Sequence, residues 1–311
     1  VTVNPNPEIT SLTSNTDICA MDNAVFTLVG TADTDVSYSY TIGTGAAVAG
    51  TVTLDNTGNG TVTIAAPQNT LTAVDVVLTL NNIVNPVTTC TTALTNVSTV
   101  TVNPNPEITS LTNNTDICAM ADAVFTLEGT ADTDVSYSYT IGAGAAVAGT
   151  VTLDNTGNAT VTIPTVQNTT TAIDVVLTLN NIVNPVTTCS TALTNVSTVT
   201  VNPNPEVTNV TNNSDICAME DAIFDITGTA NTVVTYTVDT GAAQTITLDG
   251  TGAGQIVVPT VQNTTAAVNV VLTLSDITNP VTGCSTALTN VSTVTVNPNP
   301  EITSLTSNTD I

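Results

Sequence analysis

Alternating apolar and polar residues fill most of this chain in short runs rich in Val, Ile and Thr, separated by clusters of Gly, Asn, Asp and Pro. A side-chain period of two marks a strand with one face buried. Over the first hundred or so residues the runs predict strands near Glu8 to Thr13, Ala24 to Gly30, Val36 to Ile42, Thr51 to Leu54, Thr61 to Ile64, Val74 to Asn81 and Ala93 to Val102. Their inward faces should carry Phe26 and Leu28, then Tyr38, Tyr40 and Ile42, then Val52 and Leu54, then Val62 and Ile64, then Val74, Val76, Leu78 and Leu80. Seven such strands in a stretch of this length is the count of an immunoglobulin-like β-sandwich. No apolar run reaches the roughly 18 residues of a transmembrane helix.

The pattern then repeats. VTVNPNPEITSLTSNTDI at 1–18 recurs letter for letter at 294–311, and close variants begin at Val100 and Val199. The offsets of 99, 99 and 95 residues are the length of a whole small domain, so the chain reads as a tandem array. The expected division makes 1–5 the last strand of a preceding repeat, and 6–103, 104–202 and 203–297 three immunoglobulin-like repeats, the third four residues shorter. Residues 298–311 would start a further repeat, as in a stretch of a longer array with a period of 293 residues. Differences between copies respect the inferred faces. Thr27 becomes Asp225 and Val29 becomes Glu128 on the outer side, while Phe26 is matched by Phe125 and Phe224.

Turn chemistry supports the hairpins. Asp55-Asn56-Thr57-Gly58, Asp154-Asn155-Thr156-Gly157 and Asp249-Gly250-Thr251-Gly252 each suit a type I turn followed by a residue of positive φ. The deletion in the third copy falls where GTGAAVAG shortens to DTGAAQ, which predicts a loop there. Asn-Pro-Asn-Pro recurs between successive copies, where two prolines favour a short, stiff, extended junction.

Composition narrows the function. Lys, Arg and His are absent while 25 Asp and Glu remain, for a net charge of −25, so side chains form no ion pairs. Nothing is available to neutralise phosphates, which argues against nucleic-acid and anionic-lipid partners. General-base, Schiff-base and His-ligated metal chemistry lose their usual residues, so an enzyme is not expected. Charged residues are only 8% of the chain, and Thr and Asn dominate a neutral polar surface.

Six cysteines follow the repeat, two per copy, at nearly the same spacing each time. By analogy with sandwich disulfides, the expected pairs are Cys19–Cys90, Cys118–Cys189 and Cys217–Cys284, which imply an oxidising, extracytoplasmic location. The rival pairing joins Cys90 to Cys118 across a junction and leaves Cys19 and Cys284 to seek partners elsewhere. No cofactor is required, but carboxylates with Asn and backbone oxygens suit calcium. The candidate ligands are Glu8 with Asp17, Glu107 with Asp116 and Glu206 with Asp215 at the junctions, continued by Glu301 with Asp310. Asp33 with Asp35 and Asp132 with Asp134 form a second set, replaced by Asn231 and Val233 in the third copy. All of these residues also read as turn formers and solubilising charge, and no DxDxDG loop is present. Regular Thr-x-Thr pairs such as Thr51 and Thr53 could present an ice-binding array, although Thr commonly fills the solvent face of strands. The sequons at Asn96, Asn195 and Asn290 invite glycosylation.

The TVTVNPNPEI junctions, paired cysteines and modules without basic residues resemble the immunoglobulin-like or PKD-like repeats of giant bacterial surface adhesins, nearest the SprB-type gliding adhesins of the type IX route. The resemblance implies a long cell-surface filament that grips a substratum or neighbouring cells and, in gliding relatives, is carried by a separate motor. The resulting expectation is an all-β, extended rod of tandem seven-stranded sandwiches forming an adhesin stalk. Its partners would be further repeats of the same chain and a surface, glycan or cell target. The alternatives are modules that themselves bind glycans or calcium-dependent partners, and a spacer in a secreted multidomain enzyme.

Overall fold

The computed structural model describes residues 3–68 and 71–307, and all regular structure among them is β. The first module contains β1 (Ile9–Ser14), β2 (Ile18–Cys19), β3 (Asn23–Gly30), β4 (Asp35–Ile42), β5 (Val48–Thr53), β6 (Asn59–Ala65), β7 (Val74–Val84), β8 (Thr91–Ala93) and β9 (Val97–Asn103). Two sheets face each other, one ordered β1-β3-β6 and the other β2-β9-β7-β4-β5 with β8 added to β7. Every pairing is antiparallel except β2 on β9, which is parallel. The second and third copies repeat this order strand for strand. The chain is a tandem array of immunoglobulin-like β-sandwiches.

Local chemistry explains β2, a strand that alternation alone does not reveal. The first strand is broken at Asn15, whose side-chain amide donates to the Asn23 carbonyl and accepts from the Val25 N–H. It therefore replaces a ladder rung while the backbone crosses from one sheet to the other, and two residues suffice for β2 to dock on β9. Asn114 and Asn213 do the same in the later copies.

Each module has its own core. In the first, Phe26, Leu28, Val76, Leu78 and Leu80 are wholly buried, Val62 and Ile64 nearly so, and Tyr38, Tyr40, Ile42, Val52 and Val74 pack against them half-buried. The inward face read from alternation is the observed one, whereas Thr27, Glu128 and Asp225 face solvent. Phe125 and Phe224 occupy the centres of the other two cores. Truncating any of these phenylalanines to Ala would cost about 3–5 kcal/mol. One buried polar side chain escaped the sequence reading: the Thr34 hydroxyl donates to the Thr31 carbonyl, and Thr133 and Thr232 repeat the bond.

The turns form as their sequences predict. Gly58, Gly157 and Gly252 have φ of 83°, 81° and 83°. A Cβ on Gly58 would also stand 2.2 Å from the Gly30 carbonyl oxygen, so both conformation and space require glycine. In the first module Val102, in the last strand, is sealed by pairing with Val74 and Ile18; of the corresponding residues 1–3, Val1 and Thr2 lie outside the described residues. One expectation needs correction. The four-residue deletion does not shorten a loop. The third module's hairpin strands are Val233–Val238 and Gln244–Thr247, each two residues shorter than β4 and β5, and the connection stays at five residues, 239–243 against 43–47. Removing two residues from each arm preserves the alternation of faces.

Candidate functional site: the module junctions and their disulfides

A module has two ends. The chain arrives at the leading end, where the Thr92 hydroxyl donates to the Pro7 carbonyl. It leaves at the trailing end after Asn103, where β2 lies alongside the last residues of β9. At this trailing end the Ala20 N–H donates to the Asn103 carbonyl and Met21 turns the chain back with φ of 72°. Cys19 is thus placed on the trailing face, as Cys118 and Cys217 are in the later copies.

The second cysteine of each copy occupies the leading end. β7 starts beside Val102 and runs the length of the sandwich to Val84, eleven residues or about 36 Å. Beyond it, Asn85 closes a tight loop by accepting from the Val87 and Thr88 N–H groups through its side chain, while its N–H donates to the Cys90 carbonyl. Thr89, Thr188 and Gly283 adopt φ of 62°, 62° and 75° in the same loop position.

The disulfides follow from this placement. Cys19 bonds Cys189 and Cys118 bonds Cys284, each with a Cα–Cα distance of 5.5 Å. The expected pairs Cys19–Cys90, Cys118–Cys189 and Cys217–Cys284 are therefore corrected, as is the rival Cys90–Cys118. Two cysteines of one module stand at opposite ends of an eleven-residue strand, far outside the Cα–Cα reach of a disulfide. Instead, the trailing cysteine of one module meets the leading cysteine of the next. Among the described residues Cys90 and Cys217 carry free thiols.

The backbone crosses each junction beside its disulfide. The Asn105 side-chain amide donates to the Ala20 carbonyl, fixing the linker to the module behind. The Glu107 N–H donates to the Thr130 hydroxyl and the Thr130 N–H to the Glu107 carbonyl, fixing it to the module ahead. Only Pro106 lies between these anchors, and it is buried. Asn204 and Glu206 repeat the arrangement around buried Pro205.

The calcium candidates fall into separate places. Glu8 is at the leading end, bonded through its backbone to Thr31, while Asp17 precedes β2 at the trailing end, with β1 between them. Glu107 and Asp116, and Glu206 and Asp215, are separated in the same way by the first strand of their modules. Asp33 and Asp132 occupy left-handed turn positions with φ of 56° and 54°, and Asn231 takes φ of 59° in the third copy, so backbone conformation accounts for the residue type. Asp35 and Asp134 accept the hydroxyls of Thr53 and Thr152 at 2.6 Å. Among the described residues no three Asp, Glu or Cys side chains gather into a metal-binding group, and Asp310 lies outside those residues. The sequon residues Asn96, Asn195 and Asn290 are exposed.

The third module's trailing end carries an open groove of about 500 Å³, lined by Asp239, Val258, Val268, Val270 and Val296 among others. Its shortened hairpin leaves Val268 53% exposed and Val270 8% exposed, where Val76 and Val175, the counterparts of Val270, are sealed.

No protein-family model and no curated protein matches the chain. Solved structures resemble it. A tetra-tandem repeat from the extending region of a large adhesion protein is 12% identical with a TM-score of 0.33, over 94% of this chain and 74% of that one. The BSP domain of a biofilm-associated protein is 15% identical with a TM-score of 0.23, over 94% of this chain and 66% of that one. The I9–I11 tandem of titin is 9% identical with a TM-score of 0.31, over 95% of this chain and all of the other. No helix among the described residues is long and apolar enough to cross a membrane.

Proposed function

We propose that this chain is load-bearing shaft from a long extracellular, cell-surface adhesin, built from modules at 6–103, 104–202 and 203–297. It is a non-enzymatic rod that supports attachment to surfaces or cells, and traction in gliding cells. The observation that carries this reading is the pair of disulfides between successive modules, Cys19–Cys189 and Cys118–Cys284. Disulfides accord with an oxidising, extracytoplasmic setting. The absence of His, Lys and Arg supports a non-enzymatic role.

In a continuing array these disulfides define two interleaved covalent tracks. Each track crosses from a trailing cysteine to the leading cysteine of the next module, follows the last strands through the junction, and leaves at the next trailing cysteine. The stretch from Cys189 to Cys217 is such a segment. Fully extended it would reach about 100 Å. The two modules it passes, each with an eleven-residue central strand, occupy about 80 Å with their junction. The track is therefore close to taut in the folded array, and tension has little slack to pull out. The core strands β3 to β7 lie off the tracks, so their unfolding does not lengthen the rod.

Pulling this chain at its ends tests the idea. The shortest covalent route from Val3 to Ser307 passes through both disulfides and contains about 110 residues, or roughly 400 Å when extended. Reduction should raise the full extension to roughly 1,100 Å in single-molecule force spectroscopy. Equal extensions in oxidised and reduced protein would sink the proposal.

A further inference from the structure

The groove of the third module opens where the other two modules carry large side chains. Ile42 stands opposite Val76 in the first module and Ile141 opposite Val175 in the second. In the third module the ladder ends at Val238 opposite Leu272, where Tyr40 and Tyr139 face Leu78 and Leu177 in the others, and Val270 has no residue across from it on that side. Val258, Val268, Val270 and Val296 line the resulting space of about 500 Å³. We propose that it binds the free N-terminus of an extended peptide whose first residue is a branched aliphatic one, seated in the place that Ile42 fills in the first module. This ligand site does not rest on the shaft reading.

The shortened hairpin also leaves backbone groups without a strand. On a central antiparallel strand the N–H and C=O of alternate residues point to the same neighbour. The Gly43 N–H donates to the Asp75 carbonyl and the Gly142 N–H to the Asp174 carbonyl, each at 2.8 Å. In the third module the last such bond stands two residues further along, from the Asp239 N–H to the Val271 carbonyl at 2.8 Å. Asn269, the counterpart of Asp75 and Asp174, thus turns its N–H and C=O toward a lane that no strand fills. An added peptide completes this lane by strand addition, its second residue donating its N–H to the Asn269 carbonyl as Gly43 does to Asp75.

Asp239 sets the direction and the end of the peptide. It replaces Gly43 and Gly142 at the first position of the hairpin connection, with φ of 50° against 55° and 54°. Its Oδ1 accepts from the Val271 N–H at 2.9 Å, which holds the carboxylate beside the lane. Its Oδ2 makes no hydrogen bond among the described residues. A peptide running in the direction of Val233–Val238 must begin there, with its α-ammonium facing the carboxylate. The reverse direction would bring a C-terminal carboxylate against Asp239 and is repelled. The chain has no Lys, Arg or His of its own to take that position.

A following module leaves this region uncovered. Met21 and Met120, at the trailing ends of modules that have a successor, are 67% and 66% exposed, and Met219 is 65% exposed. The hairpin connections 43–47 and 142–146 are exposed throughout. The groove therefore belongs to the third module's own hairpin.

The test is titration of the isotope-labelled full chain with the peptide Ile-Gly-Thr amide, the sequence of Ile42–Thr44, followed by amide chemical shifts in NMR. Saturable shifts are expected at Asp239, Asn269 and Val270, and none at their counterparts Gly43, Asp75 and Val76. Acetylating the peptide N-terminus, or replacing Asp239→Asn, should each weaken binding about tenfold through loss of a charge-assisted contact. Inserting Thr-Ile after Val238 and Val-Ala after Ala243, the residues that the first module has there, should fill the groove and abolish the shifts. Dispersed amide signals from the third module show that each variant is folded. The inference is overturned by absence of saturable shifts in wild type, by equal shifts in all three modules, by equal binding of the acetylated peptide or to Asp239→Asn, or by binding that survives the insertion. None of these outcomes touches the disulfides Cys19–Cys189 and Cys118–Cys284, so the shaft reading stands or falls separately.

Discussion

At the scale of single residues, the turn aspartates show sequence chemistry acting within a few atoms. The Asp55 carboxylate accepts from the Asn59 N–H, the Thr57 hydroxyl and the Thr57 N–H. These bonds, that of Asn59 foremost, hold its pKa below the ordinary 3.8. Asp154 is lowered in the same way, chiefly by Asn158, and Asp249 chiefly by the Thr251 hydroxyl. A depressed folded pKa means that the carboxylates contribute stability above the unfolded value and lose it as pH falls through the folded one. Thermal midpoints should therefore drop on acidification below about pH 4. Replacing Asp55, Asp154 and Asp249 together by Asn should lower the midpoint at neutral pH and flatten its acid limb in calorimetry; an unchanged limb would assign the acid response elsewhere. These turns were legible because every partner lies within four residues. The hydroxyl bonds of Thr34, Thr133 and Thr232 are local too, but Thr is common on strands and nothing marks these three in sequence.

At the scale of elements, alternation located the strands because a pleated chain imposes a period of two on whatever it buries. It missed β2 and β8, since two or three residues are too few to show a period. It also misplaced the deletion in the third copy, which removes a matched pair from each hairpin arm and keeps Tyr236 opposite Gln244 where Tyr38 faces Gly50. Parity governs what such a hairpin tolerates. Deleting Thr41, Ile42, Val48 and Ala49 from the first module should leave a cooperative fold with Val76 newly accessible. Deleting Thr41 alone should destabilise far more, because Ile42 would exchange faces. Thermal unfolding of the two variants distinguishes these outcomes, and equal losses would show that the hairpin tip is not held in register.

At the scale of the whole molecule, each junction has two covalent legs, the Asn-Pro-Asn-Pro backbone and a disulfide that starts from the neighbouring strand. One leg permits swivelling about the linker; a second restrains it. Replacing Cys19 and Cys189 together by Ser should broaden the angle between the first two modules in electron micrographs while leaving the second junction narrow. Identical angular spreads at the two junctions would show that the anchors around Pro106 provide the stiffness unaided.

The sequence by itself determined what is local or periodic: the strands, their inward faces, the Asp-x-Thr-Gly turns and the tandem repetition. Tertiary structure decided which cysteines meet. The near-constant spacing of the two cysteines in each copy says nothing about direction in space, and the usual sandwich analogy points inside one module. The signal that could have found the answer is a count of chain reversals. β3 to β7 make five traversals of the sandwich between Cys19 and Cys90. An odd number of traversals sets two residues at opposite ends, where each can be met only by a neighbouring module.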